Sequence, residues 1–176
     1  MNNIFFTSDQ HFGHKGMVHF TREDGTKLRP YDSVESMNES LVENYNKVVK
    51  PGDIVYFLGD VFLHKNQSAI ISRLNGTKKL ILGNHDKEDV NFYRKHFTWV
   101  RAYGLNVNRL IMSHIPIHPE SLGRWRANLH GHTHANCLND LRYMNMCVEN
   151  TNYTPMSLED VELELKKEVY NASYGN

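Results

Sequence analysis

Four times along this chain a short apolar run ends in residues able to hold a metal ion or move a proton. "NIFFTSD" (3–9), "DIVYFLGD" (53–60), "KLILGNHD" (79–86) and "RLIMSH" (109–114) share that plan. Runs of this length, bounded by polar residues and glycine, read as buried strands. Further strands are expected at 98–103, 126–132 and 142–149. Val34, Met37, Leu41, Tyr45 and Val48 follow a helical stripe that "KPGD" (50–53) stops, with Asp32 and Glu35 as its capping box. Shorter helices are expected at 13–20, 66–74 and 87–95. A last one starts near Ser157, with Asp160 three residues on, and buries Leu158, Val161, Leu165 and Val169. Alternating strands and helices predict βαβ units. The strand-rich second half predicts a second sheet or an antiparallel extension of the first. Open α/β sheets bind ligands beyond the carboxyl ends of their strands, and the polar residues fall there in each unit.

Composition narrows the function classes. At 176 residues the chain is expected to form one domain, 1–176, with a core over about 4–148 and a C-terminal helix over about 157–172. Lys+Arg and Asp+Glu each total 20, so no strong binding to nucleic acid is expected. The start, "MNNIFFTSDQ", lacks the pattern of a signal peptide, and no apolar run approaches the ~20 residues of a membrane helix. Two cysteines, Cys137 and Cys147, read as free thiols, and a cytoplasmic location is expected. Histidine is in excess at 11, which points to a metal or acid–base site.

The candidates are Asp9, His11, Asp60, Asn84, His85, His114, His132 and His134. All except His85 make a ligand set for two divalent ions. Carboxylate, imidazole and amide oxygen without thiolate suit Mn²⁺ above all, with Fe, Zn²⁺ and Ni²⁺ as alternatives. Asp60 ends a central strand and is the expected bridge. The stretch "NLHGHTHANC" (128–137) sets His130, His132 and His134 at every second position. Chance packing beside the core is the bland reading. In an extended segment, side chains two apart share a face about 6.5–7 Å apart. Catalytic ion pairs sit about 3.5–4 Å apart, so His132 and His134 could serve one ion each, with His130 deeper in the core. Asp9 and His11 could grip a single ion. Gly83 and Gly131 have no Cβ and let backbone and ions approach.

In this order, "DQH" (9–11), "GD" (59–60), "GNHD" (83–86), "SH" (113–114) and "GHTH" (131–134) resemble the calcineurin-like metallophosphoesterase superfamily, over about residues 4–148. The resemblance implies an α/β fold of two packed mixed sheets flanked by helices, in four layers. It implies one ion on Asp9, His11 and His134, another on Asn84, His114 and His132, and Asp60 between them. His85 would face the substrate phosphate as general acid or hydrogen-bond donor, and a metal-activated hydroxide would attack phosphorus. Leu63 stands where protein phosphatases carry a second Asp, no DRG follows, and Asp86 replaces Glu. These departures weaken a protein-phosphatase reading, while the compact chain and "GNHD" look more like the small bacterial and phage phosphodiesterases, with a nucleotide or cyclic nucleotide as the expected substrate. A phosphomonoesterase or protein phosphatase, and a non-catalytic scaffold, are the alternatives. His14, His64, Arg124 and Arg126 are expected to contact substrate, and Asp86 to cap the helix that follows it.

Overall fold

The computed structural model describes the backbone of residues 2–174 and, within it, all side chains except those at 105–107 and 168–174. Strands β1 (Ile4–Thr7), β2 (Ile54–Phe57), β3 (Thr77–Ile81) and β4 (Trp99–Arg101) are parallel neighbours in that order. A second sheet follows, in which β5 (Tyr103–Val107) runs antiparallel to β6 (Leu110–Ser113). Next in it come β7 (Ala127–His130) and β8 (Tyr143–Asn145), both parallel to β6. Strand β9 (Met156–Ser157) then returns to the first sheet, antiparallel to β1. The fold is therefore α/β with two mixed sheets and flanking helices, as the strand pattern and the resemblance implied.

Side-chain alternation along the strands builds two cores. Phe5, Val55, Phe57 and Leu80 pack with α1 (Val34–Val48) and its neighbours on one face of the first sheet. Phe6 and Ile81 point the other way and join Leu110, Met112, Ala127 and Leu129 of the second sheet. A one-residue slip in any strand would exchange these faces. Between β5 and β6 the turn residues Asn108 and Arg109 both have positive φ, 50° and 61°. That is the geometry of the tight hairpin turn whose twist matches its strands.

Helix α1 starts one residue later than the sequence pattern predicted. Ser33, not Asp32, is its cap: the Ser33 hydroxyl accepts from the Ser36 amide and the Ser36 hydroxyl from the Ser33 amide. Two of the expected short helices are 3₁₀ segments, Lys15–Val18 and Lys65–Arg73. Their buried residues, Met17–Val18 and Ile70–Ile71, are adjacent in sequence. Neighbours cannot form the three-to-four-residue stripe that an α-helix buries. The third shrinks to one turn, α2 (Val90–Tyr93), capped by Asp89 rather than Asp86. Helix α3 (Leu158–Tyr174) begins as expected, with the Ser157 hydroxyl accepting from the Asp160 amide, and it buries Val161 and Leu165. The Val169 side chain lies outside the described residues. Among the described residues no helix is long and apolar enough to cross a membrane.

Candidate metal centre

Parallel pairing brings the carboxyl ends of β1, β2 and β3 to one rim, and those of β6 and β7 face the same rim from the second sheet. Asp9, Asp60 and Asn84 follow the first three ends, and His114 and His132 the other two. The chain kinks sharply as it leaves the strands. Asp9, His11, Asp60, His132 and His134 all have φ between 48° and 71°. They are five of the nine non-glycine residues with positive φ among those described. Such backbone costs about 1–3 kcal/mol per residue and persists where surrounding structure enforces it. His132 and His134 do not share a strand face as their spacing predicts: β7 ends at His130, and the two rings arrive by left-handed turns. His130 stays in the core, where its Nδ1 meets the Gly131 carbonyl at 2.8 Å.

Each carboxylate has one oxygen committed to protein donors and one facing the rings. Asp9 Oδ2 accepts from the Ser8 hydroxyl at 2.6 Å, the His132 amide at 2.9 Å and the Cys147 thiol at 3.2 Å. Asp9 Oδ1 is buried without a hydrogen-bond partner, 3.6 Å from His11 Nε2 and 3.9 Å from His134 Nε2. His11 Nε2 is likewise buried and unpartnered. Asp60 Oδ1 accepts from the His85 amide at 2.8 Å. Asp60 Oδ2 lies 3.7 Å from His11 Nε2 and 3.5 Å from His114 Nε2, so one oxygen faces two clusters.

The second cluster is tighter. Asn84 Oδ1 is 2.9 Å from both His114 Nε2 and His132 Nδ1, which are 3.3 Å apart. The far ring nitrogen of His114 donates to the Leu58 carbonyl at 2.8 Å, which leaves Nε2 as a lone pair in the neutral ring. Lone pairs of a carboxylate, an amide and an imidazole then converge, and only a cation or a proton balances them. Among the described residues, two groups of His and carboxylate ligand atoms could hold a metal ion: Asp9, His11 and His134, and Asp9, Asp60 and His114.

Electrostatics follow the same map. Burial by itself would raise Asp60, but the hydrogen bond and charge of His114 outweigh it and hold the carboxyl below its usual value. Asp9 is also held down, against burial, by His11 and His114. Burial drives His11 down, whereas the carboxylates beside His114 and His134 overcome burial and raise both.

Gly83 and Gly131 both lie where the backbone passes close to candidate ligand residues. A Cβ on Gly83 would collide with Asp60 Oδ1, and one on Gly131 with Ser8 Oγ and Asp9 Oδ2. Asp86, expected to cap a helix, instead accepts from the amides of Asp60, Val61 and Gly83 and ties two of the rim loops together. Burial pushes its carboxyl up to about 6.

The second ring of expected residues divides. His85 is partly exposed, with Nε2 4.0 Å from Asp60 Oδ2. The His14 ring centroid is 5.5 Å from that of His11. His64 is exposed at the start of the Lys65–Arg73 segment. Arg124 and Arg126 do not reach the rim. They precede β7, at the end opposite His132, and Arg126 pairs with Glu162 of α3 at 2.9 Å. Their place at the entry to a strand parallel to β6 puts them on the wrong side of the sheet for this site.

Two residues at the site escaped sequence reading. Glu149, fully buried, accepts from His134 Nδ1 at 3.0 Å. Arg29, also fully buried, donates to Glu149 through Nε at 2.8 Å and to the carbonyls of Gln10 and Asp9. Glu149 falls at the end of the strand expected at 142–149 and Arg29 in the stretch "KLRPYD", and neither position carries a motif that marks it.

No family model matches the chain. The uncharacterized protein MJ1445 from Methanocaldococcus jannaschii is 35% identical over 170 residues, which cover 90% of this chain and 89% of that one. The crystal structure of AQ665, a protein of unknown function from Aquifex aeolicus, matches with a TM-score of 0.76 at 26% identity, over 92% of this chain and 98% of that one. A novel archaeal phosphodiesterase matches with a TM-score of 0.50 at 17% identity, over 81% and 82% of the two chains, and so shares the fold.

Proposed function

We propose that this chain, which belongs to the family of the uncharacterized archaeal protein MJ1445, is a phosphoester hydrolase with two divalent ions at the rim between its sheets. The observation that carries the reading is the unpartnered, buried Asp9 Oδ1 facing His11 Nε2, with Asp60 Oδ2 turned towards both histidine clusters. Buried acceptors without donors are costly, and a cation removes that cost. Asp9, His11 and His134 would hold one ion and Asn84, His114 and His132 the other, with Asp60 shared. Mn²⁺ suits this oxygen-and-imidazole set best. Bound there, two such ions supply an activated water and charge neutralisation for a phosphoryl group.

The chain's own groups divide the remaining work. Leu58 and Glu149 fix the tautomers of His114 and His134 by accepting their Nδ1 protons. Asp86 holds the Asp60 loop against the Gly83 loop. His85, exposed beside Asp60, is the group able to give a proton to a leaving oxygen. The substrate is a phosphodiester, a small nucleotide or cyclic nucleotide. His14 lies beside His11, with ring centroids 5.5 Å apart, and a cleft of about 630 Å³ opens from His132 and His134 towards Arg22 and Thr21.

Release of p-nitrophenol from bis-p-nitrophenyl phosphate and from p-nitrophenyl phosphate, with Mn²⁺ and with chelator, tests this. Chelator-sensitive turnover faster on the diester is expected. Faster turnover of the monoester would move the substrate class, and silence on both would favour a non-catalytic scaffold.

A further inference from the structure

The two ligand clusters share Asp60 but rest on different supports. In the cluster of Asn84, His114 and His132, the far ring nitrogen of His114 rests on a neutral group, the Leu58 carbonyl. Behind Asp9, His11 and His134 stands a wholly buried ion pair. Glu149 Oε1 accepts from the Nδ1 of His134 at 3.0 Å and from Nε of Arg29 at 2.8 Å, with Arg29 Nη2 in ion-pair contact at 2.8 Å. The same guanidinium binds the carbonyl of Gln10 at 2.7 Å and that of Asp9. One side chain therefore spans the loop that carries Asp9 and His11 and, through Glu149, the loop that carries His134.

A planar guanidinium with five fixed donors suits that task, where lysine would offer a single point charge. Arg29 neutralises Glu149, so Asp9 keeps its own negative charge for the first cluster. The second cluster shares its carboxylates with the first: Asp60 faces both, and ligand atoms of Asp9 and Asp60 also lie within reach of His114. Carboxylates that hydrogen-bond a metal-binding histidine orient the ring and raise its basicity, and their loss lowers metal affinity by about 10–100-fold.

We propose that the Arg29–Glu149 pair is a positioning element that makes the Asp9–His11–His134 cluster the tighter of the two ion sites, so that it fills first. The inference rests on the two-ion reading above.

The test is equilibrium binding of Mn²⁺ to the purified full chain, followed by calorimetry and by metal content after dialysis. Wild type is expected to bind one ion tightly and one more weakly. Glu149→Gln should weaken the tight step by about 10–100-fold and leave the weak step within about twofold. Because that variant leaves Arg29 buried without its partner, Arg29→Met/Glu149→Gln serves as the second arm. Removing both charges should restore the thermal midpoint towards wild type while the tight step stays weakened. A merely structural pair would regain both together, and that result overturns the proposal. Equal weakening of both steps in either variant also overturns it. Wild type that takes up no ion would instead defeat the two-ion reading itself.

Discussion

At the scale of single residues, the site is defined by which atoms are already used. Asp9 spends Oδ2 on three donors and Asp60 spends Oδ1 on an amide, so each presents one oxygen. His85 is the partly exposed histidine beside Asp60, with its Nε2 4.0 Å from Oδ2. His85→Ala is expected to keep both ions and lose about 10²–10⁴-fold in kcat, measured by diester turnover alongside metal content. Loss of the ions as well would assign it a structural job. Gly83→Ala should act differently, because its methyl strikes Asp60 itself. Loss of metal binding together with about 1–3 kcal/mol of stability is expected from such overpacking, read by denaturant titration and metal analysis.

At the scale of elements, the strands were legible because their burial is two-sided. Phe5 and Phe6 enter different cores, so a continuous apolar run was required, and its polar end had to lie at the rim. The ligand-bearing ends were readable for the same reason. What was not readable has physical causes too. Left-handed backbone at Asp9, His11 and His132 is hard to read from residue type, since aspartate and histidine adopt it more often than most residues but also occur widely outside it. A buried Arg29 looks like any solvated arginine until its partner, 120 residues away, is known. The start of α1 was misread by one residue because Asp32 and Ser33 are both good caps, and the hydroxyl that reaches the Ser36 amide decides between them. Ser33→Ala should therefore cost about 0.5–2 kcal/mol and Asp32→Ala much less, as thermal denaturation will report. Arg126, held by an exposed pair with Glu162, is expected to contribute at most about 1 kcal/mol to stability. Arg126→Ala should leave KM unchanged, and a large rise in KM would return it to the substrate site.

At the scale of the whole molecule, the centre is a clasp between the two sheets. Asp9, His11, Asp60 and Asn84 come from loops of the first, and His114, His132 and His134 from loops of the second. Ions bound there would hold the rim closed in the folded state alone. At a free concentration of about 100 times the dissociation constant, one ion adds about 2.7 kcal/mol. For a chain of this size that raises the thermal midpoint by about 5–10 °C, and chelator should reverse the shift. Cys147 is buried and donates to Asp9, and burial raises the pKa of its thiol, whereas Cys137 is exposed. The most direct measurement is anomalous diffraction from crystals soaked in Mn²⁺. Two peaks about 3.5–4 Å apart are predicted, one against Asp9, His11 and His134 and one against Asn84, His114 and His132, with Asp60 Oδ2 touching both. A rim without peaks, or a single peak out of reach of Asp60, would contradict the account.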